Sequence, residues 1–249
     1  MLLYYFCRII LPFQVNRFKT VHIRLIQWIT EKISLQQLII LLSFLIGIVA
    51  GLAAVVLKNT VHFTGQLLTH GLDISSVNLL YFALPFFGIL ITVLYVKYIV
   101  KEDIVHGVSR VLFSISKKNS KMTPRNMWSS MIGATFTVGF GGSVGLESPI
   151  VTTGSAIGSN IGQLFKLNYK TTTLLLGCGA AGAIGGIFSA PVAAVVFALE
   201  VLMLDLTTGS IIPLLISAVT GTAISYMLMG EGAIFHFAVM DPLVLGNLP

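Results

Sequence analysis

One carboxylate, Glu147, stands within Asn126–Phe165, a stretch of about 40 residues that carries no other acidic or basic side chain. An ionised carboxylate at membrane depth is costly, so such a residue is a candidate functional group. It lies in the segment GGSVGLESP, which ends at Pro149, and Pro149 suits the first turn of a helix predicted over Ile150–Phe165. Because a helix N-terminus attracts negative charge, this place can hold either the Glu147 carboxylate or a small mobile anion. The segment predicts reversible anion binding, with a carboxylate that competes with the anion and moves away when protonated; the alternative is a capping carboxylate without a transport role.

A second predicted helix start follows Lys101–Arg110 and leads into Val111–Ser116. His106, Gly107 and Ser109 lie at its beginning, where backbone N–H groups can face an anion that arrives from the cytoplasm. The neighbouring Lys and Arg side chains would raise the local concentration of that anion. Taken alone, His106 is more simply explained as a solvated loop histidine.

The elements that must position these residues are predicted to be membrane helices. Of the 249 residues 55% are hydrophobic and 10% charged, with a mean hydropathy of +0.93, whereas a soluble domain is about 25% charged. These figures exclude a disordered chain and a disulfide-stapled secreted domain, and they predict an all-α polytopic membrane protein of six to eight helices, several of them short or tilted. The long segments with few or no charges are Leu38–Leu57, Val77–Val96, Asn126–Phe165, Thr171–Leu199 and Leu206–Gly230. Cys7 and Cys178 form no metal or redox spacing, and the sequence predicts no cofactor, no metal site and no enzyme chemistry.

The basic residues are unevenly distributed. Five of the 15 Lys and Arg precede the first long apolar segment, seven lie between Lys97 and Arg125, and none follows Lys170. Because basic loops stay in the cytoplasm, the N-terminus and the His106–Arg125 region are predicted to be cytoplasmic, in a plasma-membrane protein. Residues 1–32 are predicted to form a cytoplasmic or interfacial helix, and residues 33–249 the transmembrane domain. The positive charge indicates contact with anionic membrane lipid. Nucleic-acid binding is not predicted, because the sequence has no basic patch combined with aromatic residues that could stack on bases.

Small residues are concentrated in the segment GCGAAGAIGG, Gly177–Gly186. Glycine and alanine let membrane helices approach closely, and this is the simpler interpretation of the segment. The alternative is backbone that breaks where it lines a polar cavity. A break is predicted a little further on, near Ser189–Pro191.

Three segments in the same order resemble motifs of the CLC chloride channels and chloride/proton antiporters. Gly145–Pro149 (GLESP) resembles the G-[KR]-E-G-P gating motif of that family, and Val105–Ser109 (VHGVS) matches its G-S-G-I-P anion-binding loop. Gly179–Glu200 is similar to the small-residue helix and Asn-Ala-Pro turn that follow the gating motif. The resemblance covers roughly Leu35–Gly230.

This resemblance implies a CLC-type fold of tilted and broken helices, chloride permeation and a homodimer. It assigns the role of gating glutamate to Glu147. It places an anion site at His106, Gly107, Val108, Ser109, Gly145, Leu146, Glu147, Ser148 and Pro149. Glu200 matches the first of two adjacent glutamates of the antiporters, on a possible proton path, although a helix-end acid explains it more simply.

Departures from the family pattern leave the transported anion and the mechanism open. His106 replaces the anion-coordinating serine of the family. The transported anion can therefore be chloride or another anion, such as fluoride. Val201 replaces the second glutamate, as in family members that are channels, so both a channel and an antiporter stay open.

The length of the chain leaves alternatives to anion transport open. The resemblance extends to the first of two inverted halves, and no G-x-F-x-P loop follows Gly230, so the chain is expected to be truncated before a second half. One alternative is a remnant that does not transport. Another is an intramembrane serine protease with Ser143 as nucleophile and His236 as base.

Overall fold

A computed structural model describes residues 34–69, 80–100, 107–202 and 208–230. Throughout these ranges the regular structure is helical and no strand occurs, which confirms the all-α prediction. The helices are α1 Leu35–Thr69, α2 Leu80–Tyr95, α3 Gly107–Lys117, α4 Asn126–Gly139, α5 Glu147–Leu164, α6 Tyr169–Phe188, α7 Pro191–Val201 and α8 Thr208–Met229; a π-helical turn, Val96–Val100, continues α2. The helix predicted over residues 1–32 lies outside the described residues.

Four of these helices, α1, α2 with its π-helical turn, α6 and α8, are long and apolar enough to cross a membrane. Large apolar side chains on the outer surface stay exposed, for example Phe63 on α1 and Met227 on α8, which suits contact with lipid. At 1.5 Å per residue the 35 residues of α1 measure about 52 Å, more than the roughly 30 Å of a hydrocarbon core. Helix α1 continues beyond the predicted segment Leu38–Leu57, and Val61 in the extension still packs on the core, whereas the charged Lys58 had marked the predicted end.

Helix α6 lies at the centre of the molecule and packs against α1, α5 and α8. Its glycines permit this close packing: a Cβ atom at Gly179 would overlap the backbone of Gly154 on α5, and a Cβ atom at Gly221 on α8 would overlap the backbone of Gly182 on α6. Helix α6 runs unbroken through Gly177–Gly186. The prediction of small-residue packing is therefore confirmed there, and the alternative of a broken backbone in that segment is wrong.

The predicted break near Ser189–Pro191 is confirmed. Ser189 ends α6 in the left-handed conformation, at φ 55°, and Pro191 opens α7. Because proline lacks an N–H group and fixes φ near −65°, it fits the first turn of the new helix. Beyond this turn, Ala190 and Ala193 line one cleft with Glu147, so the start of α7 lies near the start of α5.

Helix α3 begins at Gly107, four residues before the predicted start at Val111. The reason lies in its apolar face, because Val108, Val111 and Ile115 all pack on the core at helical spacing. The sequence prediction counted only the part of this face that follows Arg110.

Candidate functional site

A glycine turn after α4 delivers Glu147 to the start of α5. Gly141 takes φ +88°, and the Gly142 N–H donates to the Thr137 carbonyl at 2.9 Å. A Cβ atom at Gly142 would lie 2.5 Å from that carbonyl oxygen, so a side chain does not fit there. The turn therefore requires glycine, and it fixes where α5 begins.

The N-termini of α3 and α5 touch each other. Gly107, the first residue of α3, takes φ +47°, and a Cβ atom there would collide with the Ser148 hydroxyl and stand 2.7 Å from the Ser148 Cβ atom. Ser148 is the second residue of α5. The two helix starts that the sequence predicts as anion sites are therefore neighbours, although 41 positions separate them in the chain.

A cavity of about 230 Å³ opens between these helix starts and α4. Its lining includes Gly107, Ser148 and Pro149 at the two helix starts, together with one arginine and several serine and threonine residues. The complete lining is Val96, Val100, Gly107, Arg110, Ser129, Ser130, Gly133, Ala134, Thr137, Val144, Ser148 and Pro149. Among the residues that the structure describes, no carboxylate lines it.

The electrostatics of this cavity favour a small anion. Each helix N-terminus carries a charge equivalent to about +0.5. The residue that precedes α5, Leu146, makes no side-chain capping hydrogen bond, so the first-turn N–H groups are left for another acceptor. Arg110 brings a guanidinium to the lining, where its Nη1 donates to Asn126 Oδ1 at 3.0 Å.

Glu147 is exposed and faces a different space. It lines a cleft of about 240 Å³, whose other lining residues are Ile184, Phe188, Ala190, Ala193 and Phe197 from α6, α7 and the turn between them. Within the described ranges the Glu147 carboxylate forms no ion pair and no hydrogen bond. The start of α5 therefore separates two spaces, with Ser148 on one and Glu147 on the other.

The remaining predicted site residues differ in their surroundings. Val108 packs on the core, Ser109 is exposed, and a Cβ atom at Gly145 would meet nothing within 4 Å. His106 and the protease base His236 lie outside the described residues. Ser143 is exposed in the glycine turn.

Glu200 is exposed near the end of α7. It follows Ala193 and Phe197 at spacings of seven and three residues, which places all three on one face of the helix. Since Ala193 and Phe197 line the Glu147 cleft, Glu200 lies on the same face, about 10 Å along the axis from Ala193.

Sequence reasoning missed the α4 wall of the cavity. Ser129, Gly133 and Thr137 recur every fourth residue on α4, a spacing that puts small and hydroxyl side chains on one helix face. That periodicity was readable in the sequence. It carried no indication of which neighbouring helix the face would meet.

Comparison with known proteins identifies the family. The family model described as voltage gated chloride channel matches residues 87–249, and the chain belongs to this family. The H(+)/Cl(−) exchange transporter ClcA of Vibrio cholerae is 27% identical over 218 residues, which are 84% of this chain and 47% of ClcA. The chain spans half or less of the length of the curated relatives it matches.

Two solved structures share the fold. One is a CLC-type fluoride/proton antiporter, 28% identical with a TM-score of 0.65, where the match covers 80% of this chain and 49% of that one. The other is a slow cyanobacterial Cl−/H+ antiporter, 18% identical with a TM-score of 0.67, where the match covers 86% of this chain and 52% of that one. Together with the apolar helices, these matches make the chain a multi-pass integral membrane protein with a CLC-type fold, as the sequence predicts.

Proposed function

We propose that this chain takes part in the permeation of a small inorganic anion, chloride or fluoride, across a membrane. The observation that supports it is the meeting of two helix N-termini, those of α3 and α5, at one cavity with hydroxyl and guanidinium groups in its wall. Backbone N–H groups at such termini bind anions without an opposing fixed charge. The relatives named as chloride/proton and fluoride/proton antiporters support the same class of substrate.

Glu147 is the proposed gate. Its carboxylate is the first side chain of α5 and competes with the anion for the positive end of that helix. Protonation removes the negative charge, so the side chain rests in the apolar cleft beside Phe188 and Phe197 and the helix start is left to the anion. Because protonation takes away the competing negative charge, we expect anion flux to rise as pH falls.

The test is anion efflux from proteoliposomes. Vesicles loaded with potassium chloride or potassium fluoride, with valinomycin to carry the counter-charge, report efflux to an ion-selective electrode at several pH values. Wild-type efflux should increase toward acid pH, whereas Glu147→Gln should give high efflux with little pH dependence. Glu231→Gln is the matched control, because it neutralises a carboxylate that follows the segment Leu206–Gly230 and belongs to neither proposed site. The chloride and fluoride arms together decide which anion passes.

Two outcomes would contradict this proposal. If Glu147→Gln kept the wild-type pH dependence, the gating role would be wrong. If wild-type vesicles released neither anion faster than empty vesicles, the chain would be a remnant that does not transport. A fluorogenic peptide assay with Ser143→Ala covers the protease alternative.

Glu200 is the proposed proton acceptor, if protons move with the anion. Its position on the cleft-lining face of α7 supports a path from Glu147 past Phe197. The measurement is proton uptake driven by a chloride gradient. Uptake that Glu200→Gln abolishes while efflux persists would support the path, and wild-type efflux without proton uptake would identify a channel.

The proposal includes the membrane, the orientation and the assembly of the protein. The excess of Lys and Arg in the N-terminal and His106–Arg125 regions supports a cytoplasmic N-terminus in a plasma membrane. Family resemblance supports a homodimer and membrane lipid as partner. We propose transport without covalent chemistry, metal or cofactor.

A further inference from the structure

Five exposed lysines lie in two segments that carry no acidic residue. One segment is the end of α3 with the α3–α4 loop, and the other is the α5–α6 turn with the first turn of α6; we name the five lysines the lysine patch. Its members are Lys117, Lys118, Lys121, Lys166 and Lys170.

Hydrogen bonds hold the two loops side by side. The Tyr169 hydroxyl donates to the Ile115 carbonyl at 3.2 Å, and the hydroxyls of Ser120 and Thr173 are 2.6 Å apart. Ser120 stands between Lys118 and Lys121. The lysines of both loops are therefore presented together on a prearranged surface.

A second pair of contacts anchors the α3–α4 loop to α5. The Ser159 hydroxyl donates to the Ser120 carbonyl, and the Gln163 Nε2 donates to the Met122 carbonyl at 3.1 Å. Both acceptors belong to the segment that carries Lys121. The loop is therefore held in place without using any lysine side chain in these contacts.

Neither of the two described segments that carry the patch contains an acidic residue. Over the described ranges the carboxylates are those of Glu147 and Glu200. Glu147 begins α5, whose 18 residues span about 27 Å before Lys166. The C-terminal ends of α3 and α5 offset part of the positive charge, but a partial charge of about −0.5 at each end does not match five cations.

Apolar side chains border the patch. Phe113, Leu164 and Tyr169 are about half exposed, and the Lys118 ammonium lies 5.7 Å from the centre of the Phe113 ring. Lysines above exposed aromatic and aliphatic groups are typical of the level where lipid headgroups meet the hydrocarbon layer. This places the patch at the headgroup level of one leaflet.

We propose that the lysine patch binds the headgroups of anionic phospholipids in the leaflet that faces the cytoplasm. Several phosphate esters at once neutralise the two loops, while acyl chains pack on the bordering apolar groups. The proposal rests on the membrane placement of the chain, not on anion transport. Its test measures lipid binding alone, so its failure and the failure of the proposed function are distinguishable.

The experiment titrates the full chain, purified in neutral detergent, with dioleoyl phosphatidylglycerol. Native mass spectrometry counts the lipids retained, and the shift in unfolding temperature gives an apparent affinity. Phosphatidylcholine is the neutral-lipid control, and inorganic phosphate tests a free anion. The variants replace all five lysines by glutamine, or all five by arginine, which keeps the charge.

Phosphatidylglycerol should be retained in preference to phosphatidylcholine, and the affinity should fall on the order of fivefold for each lysine neutralised. The arginine variant should keep the affinity, and higher salt should lower it. Equal binding by the wild type and the glutamine variant, or equal stabilisation by inorganic phosphate, would overturn the proposal. If the variant with all five lysines replaced by glutamine does not fold, Lys121→Gln and Lys170→Gln are measured separately. Each should lower the affinity about fivefold. An unchanged affinity in both single variants would also overturn the proposal.

Discussion

The contact between Gly107 and Ser148 predicts a specific energetic coupling between the starts of α3 and α5. In Gly107→Ala the new Cβ atom would stand 2.7 Å from the Ser148 Cβ atom and 3.3 Å from its Cα atom. Carbon atoms in contact prefer about 3.5–4.0 Å. Rotation of the hydroxyl cannot relieve a clash with Cβ, so the two helix starts must separate by about 1 Å.

Two costs add in this variant. Overpacking of a fitted contact costs about 1–3 kcal/mol, and alanine at φ +47° costs a further 1 kcal/mol or so. We therefore expect Gly107→Ala to lower the free energy of unfolding by about 2–4 kcal/mol. Ser148→Gly should cost only about 0.5 kcal/mol, because it removes a small side chain from a first helical turn.

The double variant Gly107→Ala/Ser148→Gly isolates the clash. It removes the Ser148 Cβ and Oγ atoms, so it should recover about 1–3 kcal/mol relative to the sum of the single changes, while the strain of the left-handed backbone remains. Gly145→Ala is the matched control in the same loop region, since a Cβ atom there meets nothing within 4 Å, and it should change stability by less than about 0.5 kcal/mol.

The assay is reversible unfolding in mixed micelles, with all four variants measured beside the wild type. Additive single and double changes would refute the proposed contact between the helix starts. If Gly145→Ala lowered the free energy of unfolding as much as Gly107→Ala, the steric reasoning would be refuted. The presence of a close neighbour at Gly107 and its absence at Gly145 would then make no difference to stability.

Two more predictions concern buried polar and thiol groups. Ser159→Ala should lower the free energy of unfolding by about 1–3 kcal/mol, because the buried Met122 N–H and the Ser120 carbonyl both lose their hydrogen-bond partner. Chemical unfolding measures this loss. Ser116→Ala, at an exposed helix position, is the control and should cost less than about 0.5 kcal/mol. In a Cys7→Ser background, maleimide should leave the fully buried Cys178 unmodified until the protein is unfolded. Ser116→Cys, at an exposed position beside the polar α3–α4 loop, should react at once. Equal labelling rates in native micelles would contradict the packing of α6.

Much of the fold could be predicted from local features of the sequence. Long uncharged runs predict α1, α2 and α8 because a membrane helix needs about 20 apolar residues. Pro191 after Ser189 predicts the break between α6 and α7, since proline favours a new helix start and not a continuation. Helix ends in polar sequence, such as the extension of α1 to Thr69, were missed because no hydropathy change marks them.

The candidate site divides in the same way. Each helix start could be predicted to within about four residues, that of α5 from Pro149 and that of α3 from the segment that leads into Val111. Their contact could not, because it depends on how α4 folds back between them and on the absence of a side chain at Gly142. The periodic face Ser129, Gly133 and Thr137 illustrates the limit: its spacing identifies a helix surface, but the surface acquires a role only once packing sets it against two helix N-termini.

The separation of Glu147 from the cavity bears on how a gate could work here. A carboxylate that shared the cavity with the anion would need only to rotate within one space. Glu147 instead lines the cleft formed with Phe188 and Phe197, while Ser148, the next residue, lines the cavity. Competition at the start of α5 therefore requires the side chain to move from one side of the helix start to the other. In the cleft the side chain meets an apolar lining, and at the start of α5 it meets backbone N–H groups, so the proposed gate would move between two unlike surroundings.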